Sequence, residues 1–277
     1  MSEVTAETRA EAVVDALYLL YSEGLDPSDF MLFPEGAGAE PTADRMANAD
    51  FEKRLGDRKG FECLVRTILS QNTSDVASKP AHEALVDRYG RDGDLAVALS
   101  KASQPELAET ISSAGLYNQK SRRIIRIAAN VVDEYGGAEA FDRFVREEDP
   151  KTVRKTLLEM NGVGPKTADC VLLFAGGRDS VFPVDTHVHR IARRIGLAPA
   201  DADHEAVREA LEAAVPGEKC GFGHTAMIQF GREYCSARNP ACLEGPEACP
   251  LSEHCEQVGI VHGTGEAVDP SEAKSTE

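Results

Sequence analysis

The sequence predicts an all-α protein. Apolar residues recur at helical spacing along most of the 277-residue chain, and alternating strand patterns are nearly absent apart from a short SVFPVD at 180–185. The first element is AETRAEAVVDALYLLYSEG, which sets Val13, Ala16, Leu17 and Leu20 on one face and stops at Gly24. Residues 25–50 are rich in Pro, Gly, Ala and Asp and read as loop. GFECLVRTILSQ follows, with Phe61, Leu64, Val65, Ile68 and Leu69 forming a buried stripe. Further helices are predicted over 76–89, 93–101, 104–114, 119–135, 138–146, 150–159, 167–174, 186–195 and 203–214. From 263 onward apolar anchors are missing, and the tail 259–277 is expected to be disordered. There is no convincing internal repeat. The length suits one large domain or two small ones.

Charge is unevenly spread. The net charge is −17 and the pI about 4.9, which on its face argues against nucleic acid as a partner. Between 151 and 194 the balance reverses: Lys151, Arg154, Lys155, Lys166, Arg178, Arg190, Arg193 and Arg194 oppose Glu159, Asp169, Asp179 and Asp185, and eight minus four leaves four positive charges. A basic face on an acidic body fits a halophile's enzyme; the alternative is an ordinary acidic protein. The acidic N-terminus lacks a signal-peptide pattern, and no apolar run approaches the ~18 residues of a membrane span. The chain is expected to be soluble and cytoplasmic, with no membrane partner.

The stretch KTVRKTLLEMNGVGPKTADCVLLFA reads helix, tight turn, helix. Gly162 and Gly164 permit positive φ or close backbone approach, and Pro165 suits a first helical position. The helix start leaves free amides beside a positive dipole end, where a DNA phosphate can be held without reading sequence. The same pattern also describes a plain αα-hairpin. Lys166 is either a solvated lysine or a nucleophile. The field at a helix N-terminus disfavours its charged form, and a neutral amine can attack a sugar C1′ to form a Schiff base. Asp185, in VFPVDTHVHRIARRIGL, is either an N-cap or a carboxylate that stabilises positive charge building on a sugar as its base departs. His187 and His189 have the spacing of metal ligands, though core or phosphate contacts suit lone histidines better.

Seven cysteines cannot all pair. Cys63 and Cys170 sit in apolar helical patterns and read as core. Cys235, Cys242, Cys249 and Cys255 are spaced C-x6-C-x6-C-x5-C. Four thiolates at such short loop spacings suit a [4Fe-4S] cluster or a zinc ion.

Taken together, these motifs resemble the endonuclease III family of DNA glycosylases over about residues 55–258. The GVGPKTA lysine and the VDTH aspartate match that family's nucleophile and catalytic carboxylate, which implies those roles for Lys166 and Asp185. AGLYNQKSRRI at 114–124 is similar to its G-L-Y-N-x-K segment. ILSQNTSD at 68–75 is like the segment whose glutamine fills the gap left by an extruded base; Asn72 aligns with that glutamine and Gln71 lies beside it, so both are candidates. Asn161 stands where the family usually has proline. The family's cysteine spacing is C-x6-C-x2-C-x5-C, so the middle interval here is longer, with LEGPEA supplying turn formers that can bulge outward.

The resemblance implies two helical domains with a DNA cleft between them. One is a six-helix barrel at 52–178 containing a helix–hairpin–helix at about 154–174. The other is an iron–sulfur domain at 179–258 joined by the N-terminal segment 1–51. It further implies a bifunctional glycosylase and AP lyase for damaged pyrimidines, working as a monomer on DNA near the nucleoid; the acid excess adds a halophilic archaeal source. Expected DNA contacts are Gln71, Asn72, Gly162, Gly164, Thr167, His187, Arg190, Arg193, Arg194 and Arg232, with Arg238 also basic near the cluster. Adenine-removing mismatch enzymes of the same superfamily resemble the chain too, but they need a glutamate where Thr67 stands and lack the hairpin lysine. A non-catalytic DNA-binding or electron-transfer protein would need the hairpin and cluster alone.

Overall fold

The structure, a computed structural model, describes residues 6–21, 59–91 and 93–273. The loop expected at 25–50 and the expected boundary at 51–52 lie outside these residues. In chain order the helices are α1 (Ala6–Tyr21), α2 (Gly60–Ser70), α3 (Asp75–Tyr89), α4 (Leu95–Ser100), α5 (Gln104–Thr110) and α6 (Tyr117–Tyr135). There follow α7 (Ala138–Glu147), α8 (Pro150–Glu159), α9 (Pro165–Phe174), α10 (Thr186–Ile195), α11 (His204–Ala214) and α12 (Gly217–Glu233). A two-strand hairpin, β1 (Ile260–Val261) and β2 (Glu266–Ala267), pairs antiparallel near the C-terminal end. Among the described residues no helix is long and apolar enough to cross a membrane.

The chain forms two compact units. In the first, over 59–178, α9 is the central element: Thr167 through Phe174 are all buried, and it packs against α2, α7 and α8. Its apolar run CVLLF has no polar face because every side meets protein. The apolar stripe of α2 is buried as the periodicity requires. Asp94 caps α4 through Val97 N at 3.0 Å and also accepts from Ala138 N at 2.7 Å, joining the starts of α4 and α7. Asp142 is buried and accepts from Phe61 N at 2.9 Å, fixing the start of α2. Cys63 and Cys170 lie in this core.

In the second unit, 6–21 with 179–273, α1 packs on α11 and α12, and α10 lies against both of those helices. Tyr21 Oη donates to Glu233 at 2.8 Å, and Lys219 reaches Asp15 at 2.7 Å and Glu11 at 3.0 Å. Helix α12 is absent from the sequence expectation because GEKCGFGHTAMIQFGRE carries glycines at 217, 221, 223 and 231, which lower helix propensity. Packing explains two of them. A Cβ on Gly223 would press on Phe182 and Val14 at 3.1 and 3.3 Å, and one on Gly231 would meet His187 Nδ1 at 2.6 Å.

Two further expectations are corrected. SVFPVD is no strand; it is an extended link whose Phe182 and Val184 enter the core and whose Phe182 N donates to Glu212 at 3.1 Å. The tail from 259 is ordered through 273. Val258 N donates to Arg194 O at 3.0 Å, the β1–β2 hairpin follows, and Asp269 meets both terminal nitrogens of Arg193 at 2.9 Å while Pro270 is buried. Polar anchors hold this segment, which a search for apolar anchors overlooks.

Candidate functional site

The hairpin is built by local rules. Asp149 caps α8 through Thr152 N at 3.0 Å, with Pro150 in the first turn. The helix closes at Met160, whose carbonyl accepts from Val163 N at 3.0 Å. Gly162 has φ +88, a left-handed turn that favours glycine, and a Cβ there would overlap the Arg123 guanidinium. Gly164 caps α9 at φ −98, and a Cβ there would meet nothing within 4 Å. Its outer face is open. The two helices are tied by Arg154 Nε to Asp169 Oδ1 at 2.7 Å, with the Asp169 side chain 2% exposed.

Gln71 and Asn72 part company here. Gln71 Nε2 donates to Gly162 O and to Thr167 Oγ1, both at 3.1 Å, while its Oε1 accepts from Arg123. It is a brace beneath the turn. Asn72 is exposed at φ +52. Thr167, expected to contact DNA, is buried with its hydroxyl committed to Gln71. Lys166 is half-buried in the first turn of α9, and its side chain interacts with Cys170 one turn on. Burial pushes the Cys170 thiol up to about 11, and the Lys166 charge pulls in the opposite direction. Thr67 spends its hydroxyl on Cys63 O at 2.8 Å within its own helix.

One exposed residue carried no role in the sequence reading. Leu116, in the AGLYNQK segment, has φ +46 and is 51% exposed. A left-handed, solvent-facing leucine is uncommon, but φ cannot be read from sequence.

In the other unit Asp185 caps α10, its Oδ1 accepting from His187 N at 2.8 Å and Val188 N at 2.9 Å. The second carboxylate oxygen takes no part in that cap. The His187 ring packs on Gly231 and meets Arg190 Nη2 at 3.3 Å; burial pushes its pKa below the ordinary value. His189 goes elsewhere, bonding Ala202 O at 2.9 Å and stacking on His204 at 3.9 Å, so the two histidines do not act as a ligand pair.

Two arginines of the expected basic stretch turn inward, while Lys151 and Lys155 stay exposed. Arg193 and Arg194 are 5% and 2% exposed. Arg193 holds Asp269 and Ala200 O; Arg194 holds Ser236 O at 2.6 Å and Ala237 O at 2.7 Å. Arg190 is half-buried and donates to Cys235 O at 2.7 Å and Gly231 O at 3.2 Å. These guanidiniums bind loop carbonyls, because the turns around 196–202 and 235–240 leave carbonyl groups without helical partners. Arg232 and Arg238 are exposed.

Cys235, Cys242, Cys249 and Cys255 are free thiols that line one cavity with Arg194, Phe230 and Leu251. Arg194 Nη1 lies 3.6 Å from Cys235 Sγ, and Gln257 N donates to Cys255 Sγ at 3.3 Å. Burial, with some repulsion from the neighbouring sulfurs, pushes Cys255 up to about 12. Among the described residues no three His, Cys, Asp or Glu side chains group as ligands of one ion. The four thiols surround a space.

The HhH-GPD superfamily of base excision DNA repair proteins matches residues 65–217. Endonuclease III of Thermotoga maritima is 35% identical over 206 residues, covering 74% of this chain and 87% of the relative. Endonuclease III of Bacillus subtilis is 33% identical over 198 residues, covering 71% and 81%. A solved non-covalent endonuclease III–DNA complex shares the fold with a TM-score of 0.66 at 25% identity, covering 91% of this chain and 95% of that one. Family match, relatives and fold agree with the glycine turn and the lysine behind it: the chain belongs to the HhH-GPD superfamily of base excision DNA repair proteins and, within it, to the endonuclease III family of DNA glycosylases.

Proposed function

We propose that the protein is a bifunctional glycosylase and AP lyase acting on damaged pyrimidines in double-stranded DNA. The observation that carries this is the placement of Lys166 two residues beyond Gly164, where a Cβ would meet nothing within 4 Å, at the start of a helix whose remaining turns are buried. The turn holds a backbone phosphate on main-chain amides and so fixes the strand. The damaged nucleotide leaves the stack, since its C1′ is unreachable inside it. Asn72 and Leu116, exposed and left-handed, suit the gap and the opposite stack respectively. Lys166 Nζ, in its neutral form, attacks C1′; the glycosidic C–N bond breaks and the base leaves with the electron pair and a proton. The Asp185 carboxylate stabilises the positive charge on the sugar. The nitrogen lone pair then opens the sugar ring, breaking the C1′–O4′ bond as O4′ takes a proton, and leaves the Lys166 Schiff base. Loss of a C2′ proton breaks the C3′–O bond, the phosphate leaves with the electron pair, and the strand is nicked 3′ to the site.

The four cysteines fit a [4Fe-4S] cluster. They line one cavity with the Arg194 cation against Cys235, and the thiols of Cys242, Cys249 and Cys255, pushed up by burial, need a cationic core to ionise together. The likeness to the endonuclease III family favours a cluster over zinc for this four-thiol set. When bound, the cluster cross-links the 235–255 loop; it takes no part in the steps above. The −17 charge supports a source living in high salt, where carboxylate repulsion is screened.

Borohydride reduction tests the covalent role. Wild-type protein should become linked to abasic DNA, and Lys166→Gln should bind that DNA without linking. Undiminished linkage by the variant would assign the nucleophile to another amine. Iron analysis tests the cluster: about four irons per chain with broad visible absorption is expected, whereas colourless active protein with one zinc would refute it.

A further inference from the structure

Lys120 is almost wholly buried, at 2% exposure, a placement lysine rarely takes without a full set of partners. Its Nζ donates to Leu69 O at 2.6 Å, Ala114 O at 2.8 Å and Thr73 Oγ1 at 2.9 Å. An ammonium has three N–H donors, and each finds an acceptor. Those acceptors belong to two separate segments, the last turn of α2 with the loop 71–74 that follows it, and the 112–116 stretch before α6. Each loop presents one exposed residue in the left-handed region: Asn72 at φ +52 and Leu116 at φ +46. Thr73 Oγ1 also bonds Ala114 O, so the loops meet at the lysine. One turn along α6, Arg123 braces Gln71, the residue beside Asn72. Burial pushes the Lys120 pKa down to about 8, which leaves the ammonium the main form at neutral pH.

We propose that Lys120 is a positioning residue for base extrusion, clamping the two loops so that Asn72 and Leu116 enter the duplex at a set separation. The inference rests on the glycosylase reading above. The three acceptors the ammonium gathers, Leu69 O, Thr73 Oγ1 and Ala114 O, lie within three residues of Asn72 or Leu116, so they tie the backbone that carries both. Loosening the clamp leaves Lys166 and Asp185 untouched, because Lys120 contacts neither. The burden therefore falls on the step that separates a paired base from its stack.

The test compares one lesion in two settings: opposite its normal partner, and opposite a missing base, where extrusion costs less. Lys120→Met should slow single-turnover base release from the paired lesion by about 10–100-fold, and from the unpaired lesion by no more than about 3-fold. 2-Aminopurine fluorescence beside the lesion should report the lost unstacking directly. A loss of general stability would reduce both rates alike, and equal losses, or none, would overturn the proposal. Thr73→Val removes one of three acceptors and should show the same split at about 3–10-fold, which keeps the test open if Lys120→Met does not fold. Wild-type protein inactive on both duplexes would overturn the glycosylase reading and this inference with it. An active wild type with equal losses overturns this inference alone.

Discussion

Gly162→Ala places a methyl group where two constraints meet. The residue sits at φ +88, and the new Cβ would overlap the Arg123 guanidinium. Holding alanine in the left-handed region costs roughly 1–2 kcal/mol. Arg123 has to swing aside and give up its charged hydrogen bond to Gln71, worth about 1.5–3 kcal/mol. The sum, about 2.5–5 kcal/mol, is a large share of the roughly 5–15 kcal/mol that holds a domain folded. Denaturant unfolding of wild type and variant measures it as a shift in midpoint at constant slope. Gly164→Ala is the matched control: φ is −98 and the methyl meets nothing within 4 Å, so stability should change by only about 0.5–1 kcal/mol. On the proposed function that face takes a phosphate, which the methyl would crowd, so DNA affinity should fall about tenfold or more. A Gly162→Ala protein within 0.5 kcal/mol of wild type would refute the brace of Arg123 and Gln71 beneath the turn. A Gly164→Ala protein that binds normally would refute phosphate binding at its open face.

Asp185→Asn keeps an oxygen for the His187 and Val188 amides, so stability should hold while single-turnover base release slows by about 10²–10³-fold. Asp185→Ala should add about 1 kcal/mol of instability from the lost cap, and equal stability of the two variants would refute the capping account. Arg193→Met should release the tail, seen as faster amide exchange over 256–273, while the salt dependence of DNA binding stays unchanged; a flatter salt slope would return Arg193 to the DNA-facing surface. Lys120 has a folded pKa of about 8 against an ordinary 10.5, so between those values the unfolded chain binds more protons. Wild-type stability relative to Lys120→Met should therefore rise by roughly 1–3 kcal/mol as pH climbs from 8 toward 10.5, and a fall over that window would refute the burial-driven shift.

Local rules made much of the molecule legible. Most helices from α2 to α11 lie near where apolar periodicity places them, and Gly90, Gly136 and Gly196 stand just past α3, α6 and α10, features that depend only on neighbours within a turn or two. The hairpin was legible for the same reason: two glycines, a proline and the apolar run of α9 specify a tight turn wherever they occur. The Asp185 cap and the lysine at the helix start are equally local, and four closely spaced cysteines reach one cavity because their spacing is short.

Tertiary structure decided what depends on distant partners. The sequence offers Arg193 and Arg194 as two cations on a basic stretch, yet loop carbonyls and Asp269 far along the chain bury both. Gln71 and Asn72 are adjacent amides with nearly the same chemistry. Only the approach of Gly162, Thr167 and Arg123 commits the first to bracing and leaves the second exposed. The glycines of α12 argue against a helix until Phe182, Val14 and His187 press against them. Periodicity and capping act over a few residues, so a sequence states them outright. The burial of a charge is settled by which distant groups arrive to meet it, and that is known only once the chain has folded.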